Sequence, residues 1–171
     1  MSASDLSAAL WQERRHLELL LFRLETQRLH IAAGNLEWLN FMASEIETVL
    51  DRLRFEALAR GVESAAVAAQ WGLPAQTTLV ELIAAAPAGP WSEILREHLE
   101  ALHALLARLG EAASVNEEAL RTLPLPGRPG PADTAGMLDQ LTTGGNLERS
   151  LAVVRRSAQP LLAQYMGEDQ D

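Results

Sequence analysis

Residues 4–35 read SDLSAALWQERRHLELLLFRLETQRLHIAAGN, and the spacing of their apolar side chains decides the fold. Leu6, Leu10, Leu17, Leu20, Leu24 and Ile31 recur at intervals of three, four and seven. Written as a heptad, one seam holds Leu10, Leu17, Leu24 and Ile31, and the other holds Leu6, Glu13, Leu20 and Gln27. A helix stacks residues at those intervals on one face. The stretch therefore predicts a coiled-coil-like helix from Ser4 to about Ala33, with two polar interruptions in its seam. Ser4 is the candidate N-cap, and Asp5 suits the positive end of the helix dipole. Gly34-Asn35, both tolerant of left-handed backbone, stops the helix.

Working outward, a second helix is predicted from about Asn35 to Arg60. Its seam is Leu39, Met42, Ile46, Val49 and Leu53, widened by Leu36 and Leu50, with Gly61 as its stop. Each helix is roughly 40 Å long at 1.5 Å per residue. Two residues between them leave only an antiparallel hairpin. From Gly61 to Pro90 the pattern breaks: an Ala-rich piece, a turn at Trp71-Gly72-Leu73-Pro74, and a short helix Leu79 to Ala85 opened by a Thr78/Glu81 capping box. A third long helix starts at Trp91 and reaches towards Leu120 on the seam Leu95, Leu99, Leu102, Leu106, Leu109 and Ala113.

Beyond Leu123, Pro124 to Pro131 contains four prolines and two glycines in eight residues, which excludes helix and central strand. Gly144-Gly145 predicts a further break, with Asn146 capping a last amphipathic helix to about Met166. That helix carries the stripe Leu147, Leu151, Val154, Ala158, Leu161, Leu162 and Tyr165, and Pro160 is expected to kink it. The expected organisation is a helical bundle over 1–123, a linker over 124–145 and an amphipathic segment with an acidic tail over 146–171.

Composition agrees. The 171 residues are 48% apolar and 22% charged, with 5% aromatics, and Leu, Ala, Glu and Arg dominate. Unbranched side chains lose little rotamer freedom in helices, so the fold class is all-α. It is an elongated antiparallel helical hairpin or coiled-coil-like bundle of three long helices, with short helices and a C-terminal amphipathic helix. No stretch of 18 apolar residues and no basic N-terminal region occur, so neither a membrane span nor a signal peptide is expected. Without cysteine there is no disulfide, thiolate metal site or cysteine nucleophile. Fourteen basic residues against 23 acidic ones give a net charge of −9, which opposes nucleic acid and anionic membrane alike and leaves a protein partner.

Catalytic chemistry is not legible. Glu13…His16 and Glu100…His103 have the Glu-x-x-His spacing of carboxylate-bridged di-iron bundles. However, Glu100 lies two residues before Leu102, about 200° around the helix from it, and faces away from the apolar seam. Glu13 and Gln27 are read instead as polar seam residues that fix register, or as marks of an incompletely covered seam. His30 and His98 are read as partly exposed and unpaired. Trp71 and Trp91 are placed in the core at helix junctions, while Trp11 and Trp38 fall just off their seams. There is no phosphate loop, nucleophile elbow or zinc-helix motif. Neither an enzyme nor a cofactor is expected.

The order of elements resembles the FlgN family of flagellar export chaperones. The likeness rests on a first helix ending in Gly34-Asn35-Leu36-Glu37, a leucine-rich second helix closing near Arg60 and the broken middle with Leu79 to Ile83. It also rests on a long helix carrying Val115-Asn116-Glu117-Glu118-Ala119-Leu120, and it spans roughly Leu6 to Leu123. It implies a cytoplasmic protein that binds the helical C-terminal ends of hook–filament junction proteins, the hook-associated proteins. Such a protein keeps them unassembled and delivers them to the flagellar type III export apparatus. The family's amphipathic C-terminal region binds substrate, and it maps here onto Leu147, Leu151, Val154, Ala158, Leu161, Leu162 and Tyr165. A non-enzymatic helical scaffold or self-associating coiled-coil protein, with the tail as an intramolecular clasp, is the alternative.

Overall fold

The computed structural model describes residues 3–123, 134–158 and 162–167, and among these there are helices and turns but no strand. The fold is all-α: α1 (Ala3–Ala32), a 3-10 turn (Leu36–Trp38), α2 (Leu39–Gln70), α3 (Leu79–Ala85), α4 (Trp91–Arg121), α5 (Thr134–Ser157) and α6 (Leu162–Met166). The chain forms two compact units. Unit one comprises Met1–Leu19, Asp51–Arg108 and Pro160–Asp171, and unit two comprises Leu20–Leu50 and Leu109–Gln159. The helices α1, α2 and α4 each contribute residues to both.

The heptad seam of α1 is buried as its spacing predicts, and Glu13 and Gln27 are buried with it, so the seam is covered at both polar positions. In unit one Leu6, Leu10 and Leu17 share the core with Val67, Leu79, Leu95 and Leu102; in unit two Leu20 and Leu24 share it with Leu39, Ile46, Leu109 and Leu120. Within unit one Glu13 meets Arg60 and His16 meets Glu56, the antiparallel sense expected of α1 and α2. Gly34, with φ of 76°, closes α1: Asn35 N–H reaches His30 O at 2.9 Å and Gly34 N–H reaches Ile31 O at 3.1 Å. This pair of bonds satisfies the last carbonyls of the helix. The Thr78/Glu81 capping box opens α3 as predicted.

Five expectations are corrected. First, α2 runs through Gly61 to Gln70, because Ser64, Val67 and Ala68 extend its buried face and outweigh the roughly 1 kcal/mol penalty of a helical glycine. Its stop is Gly72, with φ of 72°, where Leu73 N–H bonds Ala68 O at 2.7 Å. Second, α5 begins at Thr134 and passes through Gly144-Gly145 and Asn146, so residues 134–145 are helix and Asn146 is no cap. Third, the buried face of α4 includes His98, Leu105, Asn116 and Leu120, with Leu99 and Leu106 only half-buried. Fourth, Trp71 and Trp91 are half-buried. Fifth, His98 and His30 both have hydrogen-bond partners. The expected breaks at Pro124 to Pro131 and Pro160 lie outside the described residues.

Candidate functional site

The stripe beyond Gly144-Gly145 was expected to hold a partner, and its described residues divide between the two units. In unit two, α5 buries Ser150, Val153, Val154 and Ser157, which sit at intervals of three and four on one face. Leu147 and Leu151 are half-buried at its edge, and Ala158 is exposed. The buried face thus lies about one residue round from the expected stripe, with Ser157 where Ala158 was placed. Small serines permit close helix packing; Ser157 Oγ bonds Val153 O at 2.8 Å, while Ser150 Oγ has no partner among the described residues. Charge fixes the edges. Arg149 donates to Asn40 Oδ1, to Ser44 Oγ at 3.0 Å and to Glu47 at 2.8 Å, holding the Glu47 carboxyl below its ordinary range. Arg155 does the same for Glu117 at 2.9 Å.

In unit one, α6 buries Leu162 and Met166 and packs against α3. The Tyr165 ring lies 4.6 Å from the Arg60 guanidinium. Burial pushes the Tyr165 phenol above its ordinary pKa. Gly167 ends α6 with φ of 83°, and a Cβ there would stand 2.7 Å from Thr78 Oγ1. Only glycine permits this approach to the α3 cap. Leu161 lies outside the described residues.

A second surface was only half legible. In unit two, Arg23, Thr26 and His30 of α1 face Trp38, Phe41, Met42 and Glu45 across a groove of about 180 Å³. Met42 is buried beneath it, Trp38 and Phe41 meet edge to face at 6.2 Å, and an Arg23–Glu45 ion pair of 3.0 Å crosses one side. Trp38 fell off the seam in the sequence because it belongs to this rim.

A family model for the FlgN protein matches residues 1–123, well over half of the chain. The chain belongs to the FlgN family. No curated protein and no solved structure matches it. The FlgN family is a family of flagellar export chaperones that bind export substrates. No helix among the described residues is long and apolar enough to cross a membrane.

Inside the FlgN-matched region, the polar seam residues are paired. In unit one Glu13 accepts from Arg60, both buried. Burial raises the Glu13 pKa despite the opposing Arg60 charge. His98, 1% exposed, stands between Ser7 at 2.9 Å and Arg14 at 3.2 Å, with the Trp11 ring edge-on at 5.3 Å. Arginine only donates, so Nδ1 of His98 accepts and Nε2 carries the proton towards Ser7. Burial, reinforced by the Arg14 charge, holds the imidazole pKa at about 4. In unit two Asn116 donates to Leu24 O at 2.7 Å and to Gln27 Oε1 at 2.9 Å. These are packing devices of the FlgN bundle. Glu100 is exposed, as its position on the helix predicts, and no three metal-ligating side chains converge among the described residues.

Proposed function

We propose that this chain is a cytoplasmic, non-enzymatic type III flagellar export chaperone. It binds the helical C-terminal ends of hook–filament junction proteins, keeps them from assembling, and delivers them to the export apparatus. The binding element is the segment carrying Leu147, Leu151, Val154, Ala158, Leu161, Leu162 and Tyr165. What supports this reading, beyond family membership, is the composition of the docked α5 face. Over residues 145–157, where its side chains are described, Val153 and Val154 are the fully buried apolar ones, beside two serines of which one hydroxyl has no partner among the described residues. Over that stretch so small an apolar payload holds weakly, since each buried valine contributes only about 1.5–3 kcal/mol. A substrate helix with larger side chains competes for the same surfaces in the helix-in-groove mode.

The test is co-purification of C-terminal fragments of hook-associated proteins with the full chain and with a chain ending at Leu123. Capture by the full chain alone is the expected result. Equal capture by both removes the binding role from the tail. Burial of Val154, Leu162 and Met166 against the protein's own core favours a second reading, a helical scaffold with an intramolecular clasp. That reading requires hydrogen exchange over residues 146–166 to be slow and unaltered by any hook-associated fragment.

A further inference from the structure

In unit one, α1 carries Trp11 and Arg14 about one turn apart, beside His98 of α4. Trp11 is 48% exposed, and the Arg14 guanidinium lies over its indole at 4.0 Å. Nη1 of Arg14 donates to Nδ1 of His98 at 3.2 Å. Burial keeps that imidazole uncharged, so Nδ1 stays an acceptor. The opposite edge of the guanidinium, Nε and Nη2, has no acceptor among the described residues, and Nε is enclosed in that condition. Arg23, Arg52, Arg60, Arg121, Arg149 and Arg155 all pair with carboxylates, whereas no carboxylate among the described residues reaches Arg14. A freely exposed arginine is merely solvated. Arg14 is held instead: the indole and the histidine fix its orientation, so little side-chain freedom remains to be lost on pairing. Tryptophan beside arginine is also the composition found at the energetic centres of interfaces.

We propose that Trp11 and Arg14 form a receptor for the chain-terminal carboxylate of a partner helix. Arg14 receives the two oxygens on Nη2 and, after a small shift of its half-buried side chain, on Nε, while the exposed indole takes the last apolar side chain. Two parallel donors on one planar edge match a carboxylate in the bidentate manner. An internal Asp or Glu offers the same two oxygens. A free α-carboxylate adds to them the negative end of the helix dipole, so the guanidinium gains from both only where a helix and its chain end together. Ala8, exposed about one turn before Trp11, is small and leaves the ring accessible to an incoming side chain. This inference rests on the reading of the chain as a chaperone of helical C-terminal ends. It adds to the tail a separate contact, in unit one, and states which chemical group that contact selects.

The test uses the full chain and synthetic C-terminal helices of hook-associated proteins in two forms, one ending in the free carboxylate and one in a carboxamide. Binding is read by fluorescence anisotropy, and the first comparison needs no variant. The native chain is expected to bind the acid roughly tenfold more tightly than the amide. With a net charge of −9, the chain's overall field opposes such a preference, so it must come from a local cation. Arg14→Gln binds the two forms alike, with circular dichroism unchanged; Arg14→Lys, which keeps the charge without the fork, retains part of the preference. Trp11→Ala weakens both forms. Equal affinity of the native chain for acid and amide overturns the proposal and leaves the chaperone reading standing. A preference that survives Arg14→Gln overturns it as well. So does an amidated peptide with a terminal glutamate that binds as tightly as the free acid, since a side-chain carboxylate then suffices. Failure of the native chain to bind either form overturns both readings.

Discussion

Glu13 and Arg60 show what a polar residue in an apolar seam costs and what it supplies. Removing one partner of a buried pair strands the other's charge and typically costs about 3–5 kcal/mol, whereas replacing both with well-packed apolar residues is close to neutral. We expect Glu13→Ala or Arg60→Ala to lower the urea midpoint sharply, while Glu13→Leu with Arg60→Met recovers most of the loss. Additive losses in the double variant would show that the two residues do not form a coupled pair. His98 carries a pH dependence of definite sign. Its folded pKa is about 4, against 6.5 ordinarily, so the unfolded chain takes up a proton first as pH falls through that window. Stability is therefore highest above 6.5 and declines towards 4, by roughly 2 kcal/mol between pH 7 and 5 at 1.36 kcal/mol per unit. Urea unfolding of the native chain and of His98→Gln at the two pH values isolates the effect. Equal pH slopes in the two proteins would assign it elsewhere.

At the scale of elements, α6 is five residues long and too short to persist alone. It exists because Leu162 and Met166 are buried and because Gly167 lets the chain pass close to Thr78. Gly167→Ala adds a Cβ at a positive φ into the Thr78 side chain, so the expected result is local release of α6. Amide exchange over Leu162–Met166 should rise by at least tenfold while exchange in α1 stays unchanged. Protection equal to that of the native chain would mean that the cap tolerates the methyl group. The same logic explains why Gly61 failed to end α2. A glycine stops a helix when the chain has somewhere else to go, as Gly34 and Gly72 do with positive φ. At Gly61 the buried face continues on both sides, and tertiary packing overrides propensity.

For the whole molecule, a chain ending at Leu123 loses the buried contacts of Val153, Val154, Leu162 and Met166, together with the Arg149 and Arg155 bonds. The ion pairs among these are exposed and contribute little. Ordering the tail costs entropy comparable to what its contacts return. The truncated chain is therefore expected to stay helical and to melt only a few degrees lower by circular dichroism. Complete unfolding would show that the tail is an integral part of the core and not an exchangeable element.

The sequence alone specified the helical class and the seam that holds Glu13 and Gln27, through the period of the leucines, and it specified the α1–α2 turn and the α3 capping box through Gly34-Asn35 and the Thr78/Glu81 pair. Each depends on neighbours within a few residues, where helical geometry fixes which side chains share a face. Other features depended on contacts between residues far apart in the chain. The partner of Glu13 stands 47 residues away and that of Gln27 stands 89 away. Burial of His98 follows from Ser7 and Arg14 arriving over it from α1. The glycines at 61 and 144–145 lie inside helices, and the buried face of α5 is rotated one residue from its apparent stripe. A local pattern records what a segment prefers in isolation; only the tertiary structure decides which face finds a neighbour, because the free energy of burial resides in that encounter.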